Sequence, residues 1–264
     1  MILTEKPSGV TGRLSESMVE RVAESSPLRL ARIAGILYLI NILGGFFAEG
    51  YIPAAIIVTG NAAATARNLV ANDLLYRMGI VGHITILVIN IFLAVIFYDL
   101  FRVVNRKLTL LVVFFTLVGT AIESANLLNQ FTPLIFLNGA GHYSSVFNTD
   151  QLNALAYAPL ELQAIGFNLS LAFFGFYGLA LGYLLFKSTF LPRILGVLLA
   201  IGASCYLINS FAYFFAPGFA GLLFPYILLP SFVGEGSLTV WFIVKGLNVQ
   251  RWKERASTVG DWRW

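Results

Sequence analysis

The 264-residue chain carries 17 Lys and Arg against 13 Asp and Glu, a charged share of 11%, with 58% apolar residues and a net charge of +4. A soluble domain has about 25% charge. At a mean hydropathy of +0.80 this chain has too few polar groups to cover its own surface, so its solvent is largely lipid. The basic residues cluster beside apolar runs, which is the pattern of membrane topology rather than of a nucleic-acid surface. With Cys205 as the single cysteine, an intrachain disulfide is excluded.

In chain order, residues 1–27 read as a polar cytosolic tail of mixed charge. Within it Leu14, Met18, Val19 and Val22 fall at helical spacing, which gives residues 15–23 the option of a short amphipathic helix. Ser26-Pro27 is a helix start, with Ser as N-cap and Pro at the first helical position. The apolar run after it is long enough to span, and no small-residue cleavage site follows. It therefore reads as a retained anchor rather than a signal peptide.

Six segments have the length to cross a hydrocarbon core: 28–52, 79–101, 108–130 (extending towards 136), 160–186, 191–215 and 222–244. The expected fold is all-α, a polytopic bundle of six transmembrane helices occupying residues 28–246. A basic tail with Trp252, Trp262 and Trp264 follows at 247–264. Fifteen Lys and Arg fall on the face holding both termini, against Arg67 and Arg77 on the other. The positive-inside rule then places both termini in the cytosol and the chain in a bacterial plasma membrane as a multi-pass protein. On the outer side, 61–75 reads as a helix lying along the surface and 149–156 as a second short helix. Gly178 and Gly182 permit close helix approach.

Ionisable side chains in lipid are costly unless they face the bundle interior, a partner or water. Glu123, Asn126 and Gln130 recur at i, i+3 and i+7, on one face of the third span. Tyr206, Asn209, Ser210 and Tyr213 share a face of the fifth, and His83 and Asn90 a face of the second. These stripes are expected to turn inward and line one polar cavity open to the outer face. Its lining would be Glu49, His83, Glu123, Asn126, Asn168, Asn209, Tyr213 and Glu235. Gly234-Glu235-Gly236, after Pro225 and Pro230, marks an expected break in the sixth helix.

Several phrases resemble a bacterial family of uncharacterised multi-span proteins, domain of unknown function 4386. They include Arg32-Ile-Ala-Gly-Ile-Leu-Tyr-Leu, Gly182-Tyr183-Leu184-Leu185-Phe186-Lys187-Ser188, Phe190-Leu191-Pro192-Arg193-Ile194-Leu195-Gly196, and Gly234-Glu235 through Trp241. The resemblance covers about 32–253 and implies a multi-span bundle without a settled activity. Members often carry a histidine near Gln163, and the glutamine here departs from that pattern.

Three functions remain open at this level. The first is a bundle whose outward-facing cavity binds or transports a small ligand, a cation or a proton. The second is a non-catalytic sensor or assembly partner. The third is an intramembrane hydrolase using Glu49, His83, Glu123 and Glu235 around a divalent metal, for which no HExxH or His-rich pattern exists. No catalytic residue, metal ligand or cofactor is assigned. The expected partners are membrane lipids, an outer-cavity solute and a second copy of the chain. The topology has a direct test on a Cys205→Ser background. An impermeant thiol reagent on intact cells should label single cysteines placed in 61–75 and 144–151. It should not label those in 103–107 or after 251, and reversed labelling would invert the orientation.

Overall fold

The computed structural model describes residues 9–138 and 140–258, with 9–26, 140 and 141 as backbone alone. Every regular element among them is helical. Helix α1 (Gly9–Gly45) passes into a π-helical turn (Phe46–Tyr51) and α2 (Ile52–Ile56). After α3 (Ala62–Ala71) come α4 (Asp73–Phe101), α5 (Arg106–Asn138) and the short α6 (Ala140–Tyr143). Helices α7 (Thr149–Lys187), α8 (Arg193–Phe215) and α9 (Pro217–Leu223) follow, then a 3-10 turn (Tyr226–Leu228), α10 (Leu229–Val244) and α11 (Val249–Thr258). Six segments are long and apolar enough to cross a membrane: Pro27–Ile56, Asp73–Phe101, Arg106–Asn138, Thr149–Lys187, Arg193–Phe215 and Tyr226–Val244. The chain is thus a multi-pass, all-helical membrane protein. Lys6, Trp262, Arg263 and Trp264 lie outside the described residues.

Each span packs on the one that precedes it, and the sixth returns to the first. The contacts run α1–α4, α4–α5, α5–α7, α7–α8, α8–α10 and α10–α1, closing a ring. Helices that alternate in direction bring both ends of the bundle to the same side. There α11 docks, with Trp252 Nε1 donating to the Leu100 carbonyl at 3.0 Å and Asn248 N to the Phe190 carbonyl at 3.1 Å. Val81, Phe92, Phe114 and Val240 are exposed around the outside, an apolar belt that suits acyl chains.

Four details differ from the sequence reading. Pro27 lies inside α1 instead of starting it. Proline removes only one backbone hydrogen bond, and this one falls where the membrane-spanning part begins. The expected surface helix at 149–156 is the first part of α7, which at 39 residues is about 58 Å long. It projects beyond a hydrocarbon core of about 30 Å, and α3 packs against it, with Gly60 N donating to Tyr157 Oη at 2.9 Å. The sixth expected segment is interrupted at 224–228, ahead of Gly234-Glu235-Gly236, which lie within continuous α10. Trp252, placed in the basic tail by the sequence reading, packs against the base of the bundle.

Lipid supplies no hydrophobic drive between helices, so close packing and polar contacts hold the ring. Glycine provides the approach. A Cβ on Gly196 would sit 2.5 Å from the Gly182 carbonyl oxygen, and one on Gly234 2.6 Å from that of Leu198. Gly178 packs on Ala203 and Gly202 on Ser231, whose hydroxyl donates to the Gly202 carbonyl at 2.7 Å. Gly246, at φ +66, ends the sixth span in a conformation that L residues rarely adopt. Gly196→Ala should destabilise the purified protein by about 1–3 kcal/mol, since backbone atoms cannot yield to the added methyl. Gly236→Ala, with nothing within 4 Å of its Cβ position, should leave the melting temperature unchanged or raised. Equal melting of Gly196→Ala and wild type would contradict this packing.

Candidate functional site

One polar cluster lies inside the ring, carried by α1's continuation, α4, α5 and α7. Glu49 reaches it from the π-helical turn. Pro53 has no N–H to bond the Glu49 carbonyl, so the regular ladder is broken there. Ile52 N bonds the Phe47 carbonyl instead. The wider turn rotates Glu49 out of α-helical register. His83 sits ten residues below the start of α4, about 15 Å along the helix. Glu123, Asn126 and Gln130 come from the inward stripe of α5, and Gln163 and Ser170 share one face of α7.

The imidazole of His83 stands between the two carboxylates. Its Nδ1 is 2.8 Å from Glu49 Oε1 and its Nε2 3.5 Å from Glu123 Oε2. Amides and a hydroxyl complete the shell. Gln163 Nε2 donates to Glu49 Oε2 at 2.9 Å, and Gln130 Nε2 lies 3.4 Å from Glu49 Oε1 and 3.3 Å from His83 Nδ1. Asn126 Nδ2 is 3.4 Å from Glu123 Oε2 and donates to the Gln163 carbonyl at 2.9 Å. Ser170 Oγ donates to Glu123 Oε1. Gly166 leaves the space that Asn126 fills, because a Cβ there would fall 2.4 Å from Asn126 Cγ. Tyr76 Oη secures α5 by donating to the Gln130 carbonyl at 2.8 Å.

His83 and Glu123 are each 4% exposed, so the cluster cannot rely on solvent for satisfaction. With all three groups ionised, two negative charges face one positive charge. One further proton or cation brings the set to neutrality. The cleft bordering it, lined by Ile52, Ile56, Ile80 and Leu160 with the Gln130 and Gln163 amides, encloses about 20 Å³, room for about one water. Among the described residues no group of His, Cys, Asp and Glu is arranged to hold a metal ion. Both imidazole nitrogens already face carboxylates.

The structure therefore brings four of the eight sequence-assigned residues together: Glu49, His83, Glu123 and Asn126. Asn168 and Asn209 instead pair with each other, Asn209 Nδ2 donating to Asn168 Oδ1 at 2.9 Å. Tyr213 packs edge-on against the Phe214 ring and touches neither carboxylate group. Glu235 belongs to a second group, accepting from Tyr206 Oη at 3.0 Å with the phenols of Tyr38 and Tyr177 close by. The eight residues expected to line one cavity thus divide among the Glu49–His83–Glu123–Asn126 cluster, the Asn168–Asn209 pair, Tyr213 and the separate Glu235 group. Gln163, Ser170 and Tyr38 escaped the sequence reading as site residues. Gln163 and Ser170 stand at i, i+7 in an apolar run, a signal as good as those that were used. Tyr38 gave none, since tyrosine is common in membrane helices.

Removing His83 leaves two buried carboxylates without a cation. His83→Leu should cost about 3–5 kcal/mol, the usual penalty for breaking a buried pair from one side. Adding Glu49→Gln and Glu123→Gln to it should restore much of the loss, read by thermal unfolding in lipid nanodiscs. Additive losses across the triple variant would disprove the coupling.

The chain matches the family described as domain of unknown function (DUF4386) over residues 33–246. An uncharacterised protein of Archaeoglobus fulgidus is 29% identical over 167 residues, 63% of this chain and 83% of that relative. No solved structure matches. The matched span takes in both polar clusters and nearly all of the membrane-spanning ring, and the chain belongs to DUF4386, a family of unknown function.

Proposed function

We propose that this protein is a proton-binding membrane protein of the cell membrane, with both termini in the cytosol. The Glu49–His83–Glu123 cluster lies in its outer half and accepts and releases a proton as part of transport or sensing. The observation that carries this reading is one imidazole held between two carboxylates in a packed, membrane-embedded ring. Space for about one water favours a proton over an organic solute. Groups in hydrogen-bond contact titrate as a set, so the cluster gains or loses a proton as a unit. The distribution of Lys and Arg supports the orientation.

Protonation changes what Glu49 can bond, and Glu49 sits on the irregular part of the first span. A rearrangement of that turn against α4 and α7 is the way a proton event would reach the rest of the bundle. Infrared difference spectra of the reconstituted protein between acidic and alkaline buffer test this directly. In a His142→Gln background a histidine ring band and a carboxyl C=O component should change together, and adding His83→Gln should abolish the ring band and that coupled carboxyl component. Bands that persist unaltered in His83→Gln and in the Glu49→Gln/Glu123→Gln double variant would overturn the proposal.

A further inference from the structure

The second cluster is independent of the first and stands at a different depth. Glu235 lies nine residues from the end of α10, about 14 Å along its axis, and Tyr177 ten residues from the end of α7, about 15 Å. Both heights correspond to the middle of a hydrocarbon core about 30 Å thick. Four helices meet here. Tyr38 comes from α1, Tyr177 from α7, Tyr206 from α8 and Glu235 from α10. The first span's Tyr38 is 4% exposed, and its hydroxyl has no hydrogen-bond partner. Its neighbours are the Glu235 carboxylate and the Tyr177 phenol. An unpaired buried hydroxyl is costly and calls for an occupant. Phe97 of α4 packs edge-on against the Tyr38 ring.

We propose that Glu235, Tyr38, Tyr177 and Tyr206 form a binding site for one dehydrated sodium ion. The donors are all oxygens, one carboxylate and three phenols, as a hard cation requires. The first cluster differs, being built around an imidazole and side-chain amides. A single carboxylate matches a single positive charge and undercharges the site for a divalent ion. Each phenol keeps lone pairs for the ion while its proton turns elsewhere. Among the described residues the groups that interact with Glu235 are phenols and none is a cation, so the ion supplies the charge that the mid-membrane carboxylate lacks. The site joins α10 to the helices that flank it in the ring, α8 and α1, and draws in α7. Sodium-site occupancy therefore holds the ring shut at the seam where its sixth member meets its first.

Thermal unfolding of the full-length protein in nanodiscs provides the test, with sodium chloride replaced stepwise by choline chloride at constant pH and ionic strength. Sodium should raise the melting temperature of wild type and of Asp73→Asn, whose carboxylate is exposed and remote. The rise should vanish in Glu235→Gln. In Tyr38→Phe it should require roughly tenfold more sodium. A wild type that responds to a pH step but not to sodium would show a proton alone and overturn the site. A sodium-dependent rise that survives Glu235→Gln would overturn it equally. Should Glu235→Gln fail to fold, Tyr38→Phe decides, and a titration identical to wild type counts against the proposal.

Discussion

Two carboxylates and one imidazole buried in a hydrocarbon environment must satisfy one another, because neither lipid nor bulk water is there to do it. That requirement ties together helices from distant parts of the chain. Glu49 comes from the end of the first span, His83 from the second, Glu123 from the third and the supporting Gln163 and Ser170 from the fourth. Without it, the upper half of the ring would rest on a small apolar cluster around Ile52, Ile80 and Leu160. The lower half is different. It is filled by Phe97, Phe101, Phe190, Phe242 and many leucines, and close packing is its main source of stability.

This division of labour explains where the backbone is regular. In the packed lower half the helices run without interruption, and glycines on α7, α8 and α10 let backbones approach to contact. Around the polar cluster the first span breaks into a π-helical turn, which rotates Glu49 relative to an unbroken helix. Pro53 next to this turn leaves the Glu49 carbonyl without its α-helical donor. The group the turn carries is the one that changes charge in the functional account. An irregular turn, a titratable side chain and a cleft for a water coincide at one level of the bundle.

Much of the fold was legible in the sequence, because lipid imposes a simple rule on composition. The six spans and their alternation follow from apolar run length, and the inward stripe Glu123, Asn126, Gln130 from helical periodicity. Helix length was harder. The start of α7 carries a local signal, the Asn148–Gln151 capping box, but nothing there shows that the helix runs on unbroken through Pro159 into the span. The site was half legible. The cost of ionisable groups in lipid marked Glu49, His83 and Glu123 as inward-facing. Azimuth could not be read. The ring order puts α8 and α10 across from α4 and α5, so Asn209, Tyr213 and Glu235 turn to other partners. Gln163, which no stripe argument singled out, belongs to the site because its amide donates to Glu49.

The central claim is that His83 bridges Glu49 and Glu123, and the chain's two histidines make it measurable. Solid-state NMR on lipid-embedded protein, with nitrogen-labelled histidine and carbon-labelled glutamate and with His142→Gln to assign the signals, reads nitrogen–carboxyl proximity atom by atom. The account predicts a cross-peak from Nδ1 to one carboxyl carbon, lost in Glu49→Gln, and one from Nε2 to another, lost in Glu123→Gln. An imidazole with no carboxyl carbon near either ring nitrogen would contradict it.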